Sequence, residues 1–162
     1  MIKIIVAVDK KGAIGKNNDL LYNIKEDLKN FKDLTSGNIV VMGRNTWESL
    51  PIKPLPNRTN IILTKTLKSI DGAIVLSSFD ELEEYLKYTD RDVYIIGGAS
   101  IYNQVIEKDM ASEAHITFVD DTVEDADVFI EIDKLKSLLP NANYIKNFDQ
   151  DDLKSEYIVL TK

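Results

Sequence analysis

The 162 residues, 44% hydrophobic and 29% charged, suit one domain over residues 1–162 whose core buries roughly 70% of the surface that the unfolded chain exposes, which excludes a disordered segment. A formal net charge of −7 excludes general binding to nucleic acid or to an acidic membrane, since both need a positive field. With no Cys and with His115 as the sole histidine, disulfides, thiolate chemistry and multi-histidine metal clusters fall away. The apolar run Ile4 to Val8 is too short for a signal segment or a membrane span, so the expectation is a soluble cytoplasmic protein that holds no metal.

Ile2 to Val8, β-branched and nearly continuous, predicts a strand buried on both faces. Asp9 to Asp19 follows as a polar loop, long for a strand-to-helix connection, and long ordered loops are often functional. Leu20 to Leu34 predicts a helix that stops near Ser36-Gly37, with Ile24, Leu28, Phe31 and Leu34 on one stripe. Asp27 falls with that stripe and away from the charged face of Lys25, Glu26, Lys29 and Lys32. A carboxylate on an apolar face must be paired, capped or put to use; the plain alternative is an edge position that reaches water.

Asn38 to Met42 is a second buried strand, and Gly43-Arg44 leads into a short helix through Leu50. Asn45 and Glu48 stand at capping-box spacing, which starts that helix at Asn45. Prolines 51, 54 and 56 make a surface crossing. Arg58 to Thr64 and Gly72 to Leu76 are strands, and Ser78 with Glu81 opens a helix through about Lys87 with Phe79, Leu82 and Leu86 on one side. Asp92 to Ile96 is a fifth strand, Gly97-Gly98 a turn, and Ala99 to about Ile106 a helix. Glu113 to Val119 alternates as a sixth strand, on which His115 is a core or surface residue, and Thr122 to Asp127 is an acidic loop. Asn143 to Phe148 and Lys154 to Thr161 complete the chain as a hairpin at the sheet edge. The alternation predicts an α/β fold: a mostly parallel eight-stranded sheet with an antiparallel C-terminal strand and helices on both faces.

In such folds ligands bind outside the carboxyl ends of the strands, which selects the loop after Val8, Gly43-Arg44, Thr64-Lys65, Ser77-Ser78 and Gly97-Gly98 as one rim. Two glycine turns that open helices, with Arg44 and Lys65 nearby, suit an anionic cofactor bearing several phosphates. Capping and surface charge explain the same residues about equally well. Neither GxGxxG nor a P-loop is present.

In order and spacing these motifs resemble the dihydrofolate reductase family over nearly the whole chain. The matches are Ile4 to Val8 followed by Ile14-Gly15, the helix with Asp27-Leu28 and Phe31-Lys32, and Val41-Met-Gly-Arg-Asn-Thr-Trp-Glu-Ser49. Pro54-Leu-Pro-Asn-Arg58 before Asn60 to Leu63, Ile96-Gly-Gly-Ala-Ser-Ile-Tyr102 and Thr117 complete them. The resemblance implies NADPH-dependent reduction of 7,8-dihydrofolate to tetrahydrofolate by a monomer that antifolates would inhibit. It implies that Asp27 bonds the 2-amino group and N3 of the pterin, that Thr117 supports it, and that Asp27 favours protonation of N5 indirectly. It further implies pterin and aminobenzoyl walls from Ile5, Leu28, Phe31, Leu50 and Leu55, which equally suit a plain core. Ile96 and Tyr102 adjoin the substrate, and Arg58, near Lys32, grips the glutamate carboxylate.

On the cofactor side the resemblance implies Ala7, Ile14, Gly15, Asn18 and Leu20 toward the nicotinamide, and Gly97, Gly98, Ala99 and Ser100 along the pyrophosphate. Ile96, Ile101, Tyr102 and Gln104 would adjoin that run. Gly43, Arg44, Asn45 and Thr46 would serve the adenine side, with Leu63, Thr64, Lys65 and Ser77 near the 2′-phosphate. Asp9 to Tyr22 would be a mobile lid whose closed form Asp127 holds. Two departures stand out. Leu21-Tyr22 replaces the family's common Pro-Trp, which frees the hinge and exchanges an indole donor for the phenol of Tyr22, a candidate for ordering catalytic water. Ser77 replaces a residue that is basic in some members. The same fold also carries reductases of a ribosylaminopyrimidine, and a non-catalytic nucleotide-binding module is the reading from another class; Asp27, Phe31 and Arg58 favour folate.

Overall fold

The computed structural model describes residues 1–16 and 19–162. In chain order the elements are β1 (Ile2–Val8), β2 (Ala13–Lys16), β3 (Asp19–Leu20), α1 (Lys25–Thr35), β4 (Ile39–Gly43), α2 (Arg44–Ser49), β5 (Thr59–Leu63) and β6 (Ile74–Leu76). They continue with α3 (Phe79–Leu86), β7 (Val93–Gly97), α4 (Ala99–Glu107), β8 (Glu113–Val119), β9 (Val128–Phe129), α5 (Ile132–Leu138), β10 (Asn141–Asn147) and β11 (Ser155–Thr161).

Among the described residues one eight-stranded sheet runs β10-β11-β8-β1-β7-β4-β5-β6. β1, β4, β5, β6, β7 and β8 pair in parallel, and β11 runs antiparallel to both neighbours, β8 and β10. This is the expected α/β architecture. The inner strands are continuous apolar runs because helices cover both faces. On one face Ile4, Val6, Ile39, Val41, Ile61 and Ile95 pack with Leu82 of α3, Val105 and Ile106 of α4 and Leu135 of α5. On the other, Ile5, Val40, Met42, Ile62 and Tyr94 pack with Trp47 of α2 and with Phe31 and Leu34 of α1. No described helix is long and apolar enough to cross a membrane.

Several local expectations need correction. The helix after Gly43 starts at Arg44 with Gly43 as its N-cap and no side-chain cap. Glu48 accepts from Arg44 Nε at 2.8 Å, so the Glu that reads as half of a capping box with Asn45 serves instead in an i,i+4 ion pair with Arg44. At α3 the Ser78 cap forms, accepting from the Glu81 N–H at 3.1 Å, but the Glu81 carboxylate takes the N–H and hydroxyl of Ser77 instead of the Ser78 N–H. The loop from Asp9 holds two short strands, and β3-β2-β9 forms a second, antiparallel sheet. α5 falls where no element is expected. On α1 the buried arc passes through Ile24, Asp27, Phe31 and Leu34, which leaves Leu28 at its edge, 48% exposed.

Candidate active site

Asp27 lies in the first turn of α1, whose lower face rests on β8 and β11 through Ile24 and Leu34. Thr117 of β8, 3% exposed, donates its hydroxyl to Asp27 Oδ1 at 2.6 Å. Burial pushes the Asp27 carboxyl above its ordinary range, and the Thr117 bond only partly opposes this. The carboxyl therefore keeps acceptor capacity beyond the Thr117 bond, with no hydrogen bond to Oδ2 among the described residues. A raised carboxyl there can hold a flat heterocycle through paired hydrogen bonds and bias its protonation. Tyr22 packs on the cluster of Ile24, Val119, Phe148 and Tyr157, and its hydroxyl donates to Asp121 Oδ2 at 3.1 Å. Burial, then Asp121, pushes that phenol upward, so it keeps its proton.

The apolar wall assembles as one cluster that includes Ile5, Phe31, Leu50, Leu55 and Ile96, with Leu28 exposed at its rim. At its outer end Arg58 is pre-set: Nη1 donates to Thr35 Oγ1 at 3.0 Å, Nε donates to the Pro56 carbonyl at 2.8 Å, and the guanidinium lies 5.9 Å from the Phe31 ring centroid. Lys32 is exposed on the same helix. Sequence reasoning misses Asn60, which is 3% exposed. Its Oδ1 accepts from the Leu55 N–H at 2.9 Å, and its Nδ2 donates to the carbonyls of Leu55 and Arg58, each at 3.1 Å. The signal available was a polar amide inside a β-branched run, which must find partners when buried.

The glycine turns meet on adjacent strands. β4 and β7 pair with Met42 opposite Gly97, so Gly43 and Gly97-Gly98, joined by a cis peptide, lie side by side at the openings of α2 and α4. A Cβ on Gly43 would stand 3.2 Å from Ile101 Cγ1, and one on Gly97 3.2 Å from the Tyr102 ring and 3.5 Å from Thr46 Oγ1. Tyr102 anchors the turn to the acid's side of the sheet by donating its hydroxyl to the Ile5 carbonyl at 2.8 Å. Further along the rim Arg44 Nη1 donates to Thr66 Oγ1 at 3.1 Å, next to Thr64. The Thr64 N–H donates to the Leu76 carbonyl at 3.0 Å, which brings Thr64, Lys65 and Ser77 to one end of β5 and β6. Gln104 and Ser100 bond to each other on α4 at 3.0 Å. Bare backbone at two turns with cations at one end fits an elongated, polyanionic cofactor.

The loop that follows β1 borders both halves. Ala7 sits opposite Thr117, Ile14 is buried in the main core, Gly15 pairs with Leu20 and Val128, and Leu20 is 79% exposed. Asn18 lies outside the described residues. The Asp127 N–H donates to the Gly15 carbonyl at 3.2 Å, and Lys16 forms an ion pair with Asp125. At the loop's root Asp9, 1% exposed, accepts from the N–H groups of Lys11 (2.8 Å), Ala13 (2.9 Å) and Val123 (3.0 Å). Asp9 reads in sequence as one more loop polar; its place three residues before Gly12 was the turn signal available. Asp9→Ala strands these donors and is expected to lower the unfolding free energy by about 2–4 kcal/mol, measured by urea melts, with weaker cofactor retention as a secondary readout.

Comparison with known proteins gives a consistent result. A family model described as dihydrofolate reductase matches residues 1–162. A dihydrofolate reductase of Neisseria gonorrhoeae is 38% identical over 143 residues, covering 82% of this chain and 81% of that protein. A bifunctional dihydrofolate reductase-thymidylate synthase of Paramecium tetraurelia is 37% identical over 113 residues, 70% of this chain, and the match spans only 24% of that longer relative. Among solved structures, a dihydrofolate reductase from Enterococcus faecalis complexed with NADP(H) and RAB-propyl superposes with a TM-score of 0.81 at 28% identity, covering 99% of this chain and 95% of that one.

Proposed function

The chain belongs to the dihydrofolate reductase family, and from that premise we propose that it reduces 7,8-dihydrofolate to 5,6,7,8-tetrahydrofolate with NADPH, with Asp27 as the pterin anchor. The observation that carries the reading is the raised Asp27 carboxyl held by Thr117 at 2.6 Å next to the paired glycine turns. When bound, NADPH supplies a hydride to pterin C6. Gly97, Gly98, Ala99 and Ser100 would hold its pyrophosphate, Gly43 to Thr46 its adenine side, and Arg44, Thr64 and Lys65 its 2′-phosphate. Ser77, bound by Glu81, brings no charge of its own to that end.

The Asp27 carboxylate bonds the 2-amino and N3 edge of the pterin, while Thr117 continues to donate to its Oδ1. Because a group on that edge cannot touch N5, Asp27 favours N5 protonation by its charge and by ordered solvent. Tyr22 takes part through its oxygen alone: its proton belongs to Asp121, so toward catalytic water it accepts where an indole would donate. Arg58 meets the glutamate carboxylate already oriented by Thr35 and Pro56, which lowers the ordering cost of binding. Leu28 and Phe31 flank the rings, and antifolates share this pocket. Residues 1–162 act as one domain and as a monomer, in the cytoplasm, a setting that a cysteine-free chain suits.

The test is loss of NADPH absorbance with purified protein. Oxidation that requires dihydrofolate is the expected result. A folded protein that oxidises NADPH only with a ribosylaminopyrimidine, or with neither compound, overturns the reading.

A further inference from the structure

The helix that carries the acid does not cap itself. The N-cap of α1 is Ile24, which makes no side-chain cap hydrogen bond, since an aliphatic chain has no acceptor to give. Asp27 stands at the third helical position, from which an acidic side chain in a capping box folds back to the N-cap amide. Here it takes the Thr117 hydroxyl instead. The first turn of α1 must therefore find an acceptor elsewhere in the chain.

Gln150, in the turn between β10 and β11, supplies it. Gln150 Oε1 accepts from the Lys25 N–H at 2.9 Å, and Nε2 donates to the Asn23 carbonyl at 3.1 Å. A side-chain amide offers an acceptor and a donor in one plane, and these two contacts straddle Ile24. The turn that presents Gln150 is itself closed, because Gln150 and Leu153 exchange both backbone hydrogen bonds, each at 2.9 Å. Phe148 and Leu153 pack in the apolar cluster that holds Ile24, and Lys146 Nζ of β10 lies 3.5 Å from Glu26 Oε2 of α1. Gln150 thus reaches the first turn of α1 from a base docked on the same helix, two residues before Asp27.

We propose that Gln150 is a positioning residue that caps α1 in place of the helix's own side chains, so that the turn bearing Asp27 is ordered before the substrate arrives. The proposal rests on Asp27 being the pterin anchor. Without this cap the Lys25 N–H loses its partner and the first turn frays. The substrate must then re-order the turn as it binds, so the loss falls on KM and spares the hydride step.

Gln150→Ala is expected to raise the KM for dihydrofolate about fivefold, the scale of one neutral hydrogen bond, with kcat and the KM for NADPH close to the parent's. In the ligand-free protein, the Leu28 N–H, which bonds the Ile24 carbonyl at 3.0 Å, should exchange with solvent about fivefold faster, while the amides of β8 keep the parent's rates. Gln150→Glu retains an acceptor for Lys25 and adds a charge that a helix N-terminus favours, so it should restore both values. Lys146→Ala, which removes only an exposed ion pair, should leave them unchanged. Parent-like KM or parent-like Leu28 exchange in Gln150→Ala overturns the proposal, as does Gln150→Glu or Lys146→Ala behaving like Gln150→Ala. The exchange measurement needs no turnover, so a parent inactive on dihydrofolate would remove the functional reading and still leave decided whether Gln150 holds the first turn.

Discussion

Asp27→Asn is expected to lower hydride turnover near neutral pH by a factor of about 10²–10⁴, the usual range for a lost acid–base group, while NADPH binding stays close to the parent's. The amide can still accept from Thr117 through its own Oδ1, so the pocket keeps its shape; it loses the charge proposed to favour N5 protonation. Part of the rate returns in acid, where dihydrofolate protonates in solution. Single-turnover hydride transfer across pH measures this, and a variant as fast as the parent at neutral pH would remove Asp27 from the mechanism.

The same substitution has an opposite effect on stability. Burial raises the Asp27 carboxyl in the folded state above its ordinary value of 3.8, so between those two values the folded protein binds more protons than the unfolded one. Unfolding free energy then falls as pH rises through that window. Asn cannot ionise and escapes this loss. Asp27→Asn should melt higher than the parent at neutral pH, each ~1 kcal/mol being worth roughly 2–4 °C at about this size, and the difference should vanish below the ordinary Asp range.

The second large effect belongs to the glycine rim. Gly97→Val is expected to weaken NADPH binding by more than about 100-fold and to lower the unfolding free energy by about 2–4 kcal/mol. Gly97 has φ +120°, which a β-branched residue avoids, and its new Cβ would meet the Tyr102 ring at 3.2 Å. The other methyls would cover backbone that the pyrophosphate must approach. Gly37→Ala is the control: φ is +79° but nothing lies within 4 Å of the added carbon, so it should cost about 1 kcal/mol and leave cofactor binding alone. Fluorescence titration of NADPH distinguishes the two, and parent-like affinity in Gly97→Val would mean that this turn cradles no cofactor.

What could be read in advance follows from how each feature is encoded. β8 shows as an alternating segment, while β1, β4, β5 and β7 are buried on both faces, so each is written as a local run of mostly β-branched and apolar residues. β2 and β9 are not, because Gly15 pairs with Val128 and neither short segment carries a pattern without the other. α5 shows Ile132, Leu135 and Leu139 buried at helical spacing, but its N-terminus has no side-chain cap to announce it. Asp27 was visible as a carboxylate on the wrong arc of a helix. Its partner was not, since Thr117 stands on a strand 90 residues away and nothing local points to α1; only the family resemblance linked them. Asn60 and Asp9 escaped because their work is done on backbone groups, which every sequence has in equal measure.

The central position of β1 in the sheet also bears on how the chain is made. Its two neighbours, β7 and β8, are the Val93–Gly97 and Glu113–Val119 segments, synthesised tens of residues after Ile2–Val8. At roughly 5–20 residues per second, this largely apolar strand spends several seconds off the ribosome's exit without its strand partners. Folding must then wait on long-range pairing, the slow kind, and during that interval β1 is the segment most in need of a chaperone's grip.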